Sequence, residues 1–204
     1  VEDKHMGLFG NRSAQLGQQG NRRGLKLWPI LLFGLYFGYY YFSHSNEASF
    51  TGRKQLLDTS AQEEAALGLQ SYQEILQQSQ VIRSGKLPEE VQGIAQRLVE
   101  AAPKVEKYLA DATGTPANTD WSAYQWQVSV IQSDQVNAFC LPGGKIAVYT
   151  GIIPVAKNDD GLAVVMGHEI AHALLRHGGE RMAQQKLVQI GSIAASMSTG
   201  DMDP

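Results

Sequence analysis

The longest apolar stretch of the chain lies near its beginning, where residues 28–42, "WPILLFGLYFGYYYF", contain no charged side chain. Residues 25–27 extend this stretch to about 18 residues, with Lys26 as its one interruption, which is the short end of what spans a bilayer. The stretch closes with consecutive tyrosines, Tyr39 to Tyr41, a residue type that favours the lipid headgroup layer. The pattern therefore predicts one N-terminal transmembrane helix over residues 25–43. A buried core helix is the alternative.

Basic residues flank this segment unevenly, and they predict its orientation. Those before it are Arg12, Arg22, Arg23 and Lys26, and those after it within a comparable distance are Arg53 and Lys54. The positive-inside rule then predicts a single-pass protein with its N-terminus in the cytoplasm. The polar tail lacks an amphipathic Arg-rich and Ser-rich presequence, which favours a bacterial inner membrane with the folded domain on the periplasmic side. A mitochondrial location is the alternative.

The remaining boundaries follow from composition. The first residues, "VEDKHM", resemble an expression-vector remnant, and residues 7–24 are rich in Gly, Gln, Asn and Arg, which is typical of a disordered tail. Residues 1–24 are therefore predicted to be a remnant and a cytoplasmic tail. Residues 44–58 are predicted to be a linker, and residues 59–204 to form the folded domain.

Helical spacing dominates the middle of the chain. Ser60 and Glu63 form a capping box, so a helix is predicted from there to about residue 80. A second helix is predicted from Pro88, with apolar residues at positions 91, 94, 95, 98 and 99. Pro103 is expected to interrupt this helix, and a further helical piece continues to Gly114.

The pattern changes to strands at Tyr124. "YQWQVSVIQS" alternates apolar and polar residues over 124–133, as a half-buried strand does. Pro142, Gly143 and Gly144 form a turn between the β-prone runs 136–139 and 145–150. We therefore predict a mainly helical α+β domain with a small antiparallel sheet or hairpin beside the next helix.

Composition narrows the class of protein. The 204 residues carry a net charge of −3 with 43% apolar residues, so there is no basic excess that would indicate a nucleic-acid partner. The single cysteine, Cys140, cannot form an internal disulfide, and a small packed residue is its expected role.

The strongest chemical signal is "HEIAH" within the apolar segment 161–177, which is predicted to be a helix ending at Gly178 and Gly179. His168 and His172 are four residues apart, so both imidazoles lie on one helix face and can bind a single Zn²⁺. Glu169 lies about 100° round the helix, within reach of a metal-bound water. This is the arrangement of a zinc peptidase with a glutamate as general base.

A chance occurrence of these five letters on an ordinary helix is the alternative. Against it, the segment is otherwise so apolar that the helix is expected to be buried. Burying two imidazoles and a carboxylate without partners costs several kcal/mol, and a bound metal removes that cost.

Taken together, "NAFCLPGGKIAVYTGII" and "VVMGHEIAHALLRHGGERM" resemble the HtpX-like zinc metallopeptidases (metallopeptidase family 48, related to the CAAX prenyl protease), in particular the soluble-domain branch that performs envelope quality control. The resemblance implies one Zn²⁺ bound by His168 and His172, with Glu169 as the catalytic base. It implies a zincin-like domain whose substrates are unfolded or damaged envelope proteins. Strand 145–150 or strand 136–139 would line the substrate groove, with Asn137, Ala138, Phe139, Ile146, Ala147 and Val148 as substrate-binding residues.

The same resemblance gives structural or supporting roles to His177, Glu180 and Arg181. His177 lies nine residues after His168, on roughly the opposite face of a straight helix, so it is expected to be a poor third ligand. The family takes its third ligand from a glutamate on a later helix, and no such helix follows here. Either the chain is the N-terminal part of a longer peptidase domain, which we favour, or an unusual ligand completes the site. In the favoured case the chain by itself is expected to be inactive.

Two other functions remain open. A non-catalytic, chaperone-like module would use the same hairpin and helix to bind peptides. A membrane-embedded prenyl-peptide protease would need further apolar spans than the single one found in this chain.

Overall fold

The computed structural model describes residues 26–199, and the predicted remnant and tail over residues 1–24 lie outside the described residues. Helices and strands alternate irregularly along the chain. In order they are α1 Trp28–His44, β1 Ser45–Glu47, β2 Lys54–Leu56, α2 Ala61–Gln77, β3 Val81–Ile82, α3 Lys86–Thr113, β4 Gln127–Ile131, β5 Ala138–Leu141, β6 Lys145–Tyr149, α4 Ile153–Ala156, α5 Asp159–Leu174 and α6 His177–Thr199.

The fold is mainly helical with small sheets, which confirms the predicted α+β class. The larger sheet has the strand order β3-β4-β6-β5. The predicted hairpin is present as the antiparallel pair β5–β6, and Gly143 and Gly144 turn the chain with φ of 78° and 80°. The sheet as a whole is not antiparallel as predicted, because β4 pairs with β6 in parallel. β4 begins at Gln127, three residues later than the alternating pattern suggested.

One hydrophobic core joins this sheet to α3 and α5. α3 packs against β4 and α5, and α5 also packs against β5. Apolar side chains of both helices share one cluster with those of β4 and β6. The residues at the centre of this core, all almost fully buried, are Val91, Ile94, Val130, Ile146, Val148 and Met166. The core therefore fixes α5 beside the strand β5.

The N-terminus of α2 is built as the sequence predicts. The Ser60 side chain accepts a hydrogen bond from the Glu63 amide, and the Glu63 carboxylate accepts one from the Ser60 amide at 2.7 Å. Both interactions satisfy amides that the first helical turn leaves without partners.

Replacing Ser60 by alanine is expected to lower the free energy of unfolding by about 1 kcal/mol, because it removes the capping interaction. Urea unfolding followed by circular dichroism measures the change. Ser71→Ala, on an exposed position in the middle of α2, is the matched control and is expected to have little effect. Equal effects for the two variants would contradict the capping role.

The expected interruption of α3 at Pro103 is wrong, because α3 continues through Pro103 and ends at Gly114 in the left-handed conformation. Proline removes one helical hydrogen bond. Pro103 is exposed, so the carbonyl that loses its partner can bond water, while the neighbouring Ala102 and Glu106 are buried and hold the helix in place.

The predicted linker over residues 44–58 is instead structured. β1 and β2 form a two-stranded antiparallel ribbon, with Ser45 opposite Leu56 and Glu47 opposite Lys54. Leu56 and Leu57 are buried. This ribbon ties the end of α1 to the start of α2.

The apolar segment near the N-terminus forms α1, a helix of 17 residues. It packs along α6, with Tyr40 buried against Ala183 and Leu187. Within residues 26–199, no helix has both the length and the apolar character needed to cross a bilayer.

Candidate active site

α5 carries the histidine segment and is held at both ends. At its start, the Asn158 side chain accepts a hydrogen bond from the Gly161 amide at 2.8 Å, as a helix cap does. Near its end, the Tyr124 hydroxyl donates to the Ala173 carbonyl at 3.0 Å. The helix ends at Leu174, so the predicted end at Gly178 and Gly179 is wrong, and these two glycines lie in α6.

His168 and His172 converge as the spacing predicts. Their Nε2 atoms are 3.0 Å apart and their rings are perpendicular, with centroids 4.5 Å apart. Two ligands of a tetrahedral zinc ion, each about 2.05 Å from the metal, are about 3.3 Å apart. The pair therefore fits two adjacent positions of one zinc site.

The described residues supply only two of the ligands. No group of three or more His, Cys, Asp or Glu side chains that could hold a metal ion occurs between Lys26 and Thr199. A catalytic zinc site has three protein ligands and one open position. Between Lys26 and Thr199, the two imidazoles therefore provide two candidate ligands of such a site.

The expectation that the whole histidine helix is buried is wrong. Val164, His168, Ala171 and His172 lie along one side of α5, and this side is exposed. The opposite side holds the core residues Met166 and Ile170. The two imidazoles are therefore open to a ligand, and the desolvation argument for a metal does not apply to them.

His177 lies beside His172 and not on the opposite face. Its Nδ1 atom is 2.6 Å from Nδ1 of His172. The sequence argument assumed a straight helix, but α5 ends at Leu174 and α6 begins at His177 with a new direction. His172 thus directs Nε2 towards His168 while its other ring nitrogen is hydrogen-bonded, as is usual for a histidine that binds a metal. Burial and the nearby charges of His172 and Arg53 lower the pKa of His177.

The break between α5 and α6 is centred on Arg176, which adopts the left-handed conformation with φ of 53°. Its guanidinium donates to both carboxylate oxygens of Glu64, at 2.7 and 3.2 Å, and to the Thr59 carbonyl at 2.6 Å. Glu64 is only 2% exposed, and the Thr59 hydroxyl also donates to it. This buried ion pair joins the first turn of α2 to the α5–α6 break, and we call it the Glu64–Arg176 clamp.

Gly179 completes the clamp. A Cβ atom at this position would lie 2.0 Å from a carboxylate oxygen of Glu64. Glycine is therefore required in the first turn of α6, where the sequence had suggested a helix end.

The other two residues with predicted supporting roles differ in their surroundings. Glu180 accepts a hydrogen bond from Arg53 at 2.8 Å, and this interaction lowers the pKa of Glu180. Arg53 lies in the ribbon segment between α1 and α2, as does Asp58, which pairs with Lys186 of α6 at 2.7 Å. Arg181 is exposed. The segment 53–64 thus holds the first half of α6 by ion pairs that no local sequence pattern indicates.

Glu169 lies on the side of α5 that faces β5. It is partly exposed, and its charge reaches the thiol of Cys140 on that strand. Burial, assisted by this charge, raises the pKa of Cys140 to about 12. The cysteine is therefore a neutral packed residue near Glu169, in agreement with its expected packing role.

The predicted substrate-binding residues separate into two groups. Asn137 precedes β5, and Ala138 and Phe139 lie in it, all partly exposed. β5 is the edge strand of the sheet next to α5. Ile146, Ala147 and Val148 lie in the inner strand β6 and are essentially fully buried. Of the two strands considered, β5 is therefore the one with a free edge beside the histidine pair.

Sequence reasoning missed Glu64 and Arg176. Glu64 follows the capping residue Glu63 and looks like an ordinary first-turn acid, so nothing in the local pattern shows that it is buried. In the sequence, Arg176 stands out only as part of the motif "VVMGHEIAHALLRHGGERM". A local prediction cannot place these two residues together, because they are 112 positions apart in the chain.

Comparison with known proteins agrees with the geometry. The sequence profile of peptidase family M48 matches residues 100–201. The mitochondrial metalloendopeptidase OMA1 of Saccharomyces cerevisiae is 30% identical over 169 residues, covering 79% of this chain and 46% of that protein. The human metalloendopeptidase OMA1 is 28% identical, covering 83% of this chain and 32% of that protein.

A bacterial relative is also similar. The beta-barrel assembly-enhancing protease of Yersinia pestis is 30% identical over 77 residues, covering 34% of this chain and 16% of that protein. The chain thus spans less than half the length of each of these relatives. The profile match and the 30% identity to a relative that covers 79% of this chain together show that the chain belongs to peptidase family M48.

Proposed function

We propose that this protein is a membrane-anchored, zinc-dependent endopeptidase whose active site is built on α5. The observation that carries the proposal is the convergence of the His168 and His172 Nε2 atoms, 3.0 Å apart on an exposed helix face. Glu169 on the same helix is the proposed general base. The third ligand is proposed to be a side chain outside residues 26–199, in a peptidase domain of which residues 59–204 form the N-terminal part.

Each residue of the site has its own proposed role in the reaction. A zinc ion held by His168 and His172 would activate a water and polarise the scissile carbonyl. Glu169 would take the proton of the attacking water and could pass it to the leaving amine. His177, through the 2.6 Å contact with Nδ1 of His172, holds that ring with Nε2 directed towards His168.

The free edge of β5 is the proposed substrate-binding element. An extended peptide can add to a free sheet edge as a further strand, since its backbone then pairs with the unpaired amides and carbonyls of the edge. Asn137, Ala138 and Phe139 would contact the substrate there. Ile146, Ala147 and Val148 would support β5 from within the sheet. Peptides of unfolded or damaged envelope proteins, which expose extended segments, are the proposed substrates.

The apolar helix α1 is the proposed membrane anchor. Its uncharged sequence and its tyrosine cluster suit the interior and the headgroup layer of a bilayer. The uneven basic flanks support a place in a bacterial inner membrane, with the N-terminus of α1 in the cytoplasm and the histidine pair on the periplasmic side.

Zinc dependence tests the proposed function. Peptide hydrolysis by the full-length protein in detergent is expected to disappear in zinc-chelating buffer and to return when free Zn²⁺ is restored. His168→Ala is expected to weaken zinc binding, measured by competition with a chromophoric chelator, because it removes one of two ligands on α5. His44→Ala, which removes a histidine at the end of α1, is the matched control. Hydrolysis that persists without zinc, or His168→Ala binding zinc as tightly as the control, would contradict the proposal.

A second candidate function is a non-catalytic peptide-binding module that uses the same hairpin and helix. The observation that favours it is the lack of a third ligand within the described part of the chain. It predicts peptide binding at β5 that is independent of zinc and of Glu169.

A further inference from the structure

The helix α6 has two halves of different chemical character. The first half, from His177 to Lys186, contains the active-site histidine and several charged side chains. The second half, residues 187–199, contains none. Residues 27–43 of the N-terminal segment are likewise uncharged. Two uncharged helical segments of similar length therefore occur at opposite ends of the described chain.

The fold brings these two segments together as an antiparallel pair. The amide of Lys26 donates to the Ser198 carbonyl at 3.0 Å, and near the middle Phe33 contacts Gly191. At the other end, Tyr40 packs on Ala183 and Leu187. Small residues on α6 allow this close approach, since a Cβ at Gly191 would lie 3.0 Å from the Phe33 ring.

The outer surface of this pair is apolar on both helices. On α1, Leu31 is 67% exposed and Leu35 is 73% exposed. On α6, Val188 is 70% exposed and Ile193 is 55% exposed. Exposed apolar patches of this kind mark interaction or membrane surfaces.

A shallow groove runs along the line where the helices meet. Its lining residues are almost all apolar: Trp28, Leu32, Phe33, Ile190, Ile193 and Met197. It holds about 240 Å³. An apolar groove suits the hydrocarbon of a lipid acyl chain.

The hydrogen bonds of the polar side chains in the second half of α6 are compatible with a lipid environment. The Ser192, Ser196 and Ser198 hydroxyls donate to carbonyls three or four residues earlier in the same helix, at 2.8, 3.0 and 2.9 Å. Thr199 does the same at 3.3 Å. Hydroxyl groups satisfied within their own helix can enter a bilayer, where no water is available to bond them. Gln189 is the one side chain of this half with an amide group.

We propose that α1 and residues 187–199 of α6 enter the lipid bilayer together as one two-helix unit, with acyl chains in the groove between them. This inference rests on the proposed membrane anchoring by α1 and extends it to the helix that begins at the active site. The charged residues Lys186 and Asp58, paired at 2.7 Å, then mark the membrane surface. His177 lies about 15 Å further along α6, so the histidine pair is held close to the bilayer.

Site-specific fluorescence quenching tests the proposal on the whole protein. Cys140 is replaced by alanine, and single cysteines are introduced as Leu31→Cys, Ile193→Cys and Val155→Cys. Each is labelled with the environment-sensitive fluorophore NBD and reconstituted into vesicles of phosphatidylcholine and phosphatidylglycerol. The quencher is phosphatidylcholine with a doxyl group deep in its acyl chain. Leu31 and Ile193 lie at the same level along the helix pair. Val155, on α4, is a control of similar exposure.

Strong quenching of the labels at both Leu31 and Ile193, with none at Val155, is the expected result. Quenching at Leu31 but not at Ile193, with the Ile193 label in a polar environment, would overturn the inference and leave the α1 anchor standing. A blue-shifted but unquenched Ile193 label would also overturn it, because protein, such as a second copy of the chain, would then cover the groove. Absence of quenching at Leu31 would refute the anchor itself, while leaving the proposed zinc chemistry untouched.

Discussion

Glu169→Gln is expected to lower the rate of peptide hydrolysis by about 10²–10⁴-fold, the usual contribution of a general base. Glutamine has nearly the shape of glutamate but cannot accept a proton from a metal-bound water. Because Glu169 lies about 100° round the helix from His168, the substitution is expected to leave zinc binding by the two histidines intact. The loss should therefore be in kcat, with KM and peptide affinity close to those of the unmodified protein.

The matched control is Asp160→Asn, the same chemical change on an exposed residue in the first turn of the same helix. Hydrolysis and peptide binding are measured for both variants with one fluorogenic peptide. Retained binding with lost cleavage in Glu169→Gln alone supports the endopeptidase. If neither variant alters any measured property, Glu169 has no catalytic part and the peptide-binding module becomes the better interpretation.

Arg176→Met is expected to lower the free energy of unfolding by about 3–5 kcal/mol, because it leaves the buried Glu64 carboxylate without its partner. The substitution also removes the hydrogen bond to the Thr59 carbonyl. Since the Glu64–Arg176 clamp holds the α5–α6 break, His177 is expected to lose its fixed contact with His172. Zinc affinity should then fall even under conditions in which the protein remains folded.

A double-mutant comparison separates the clamp from a general loss of packing. Replacing both partners, Glu64→Leu with Arg176→Met, removes the unpaired buried charge, so most of the stability should return. Zinc affinity should stay low, because nothing then fixes His177. Lys86→Met, which breaks the exposed ion pair with Glu90, is the control and is expected to cost at most about 0.5 kcal/mol. Full recovery of zinc affinity in the double variant would show that the clamp does not position the site.

Local sequence patterns determined the parts of this protein that depend on neighbouring residues. The capping box at Ser60 and Glu63 and the glycine turn between β5 and β6 are both present as predicted. The pairing of His168 with His172 belongs with them, because helical geometry alone places residues four positions apart on one face. The convergence of the two imidazoles therefore follows from the local sequence.

Tertiary packing decided the features that join distant segments. The parallel pairing of β4 with β6, the continuous α3 through Pro103 and the ribbon in place of a linker all depend on neighbours that periodicity does not show. The local sequence pattern also did not predict that one face of α5 is exposed.

The position of His177 shows most clearly why these features depend on tertiary packing. If residues 161–177 formed one straight helix, His177 and His172 would lie on different faces of it. In the fold, a buried carboxylate 112 residues earlier in the chain holds Arg176 in a left-handed conformation, and the chain turns there. The sequence alone predicted that the imidazoles of His168 and His172 share one helix face. The contact of His177 depends on a long-range ion pair, and the low-dielectric surroundings that strengthen this pair exist only in the assembled fold.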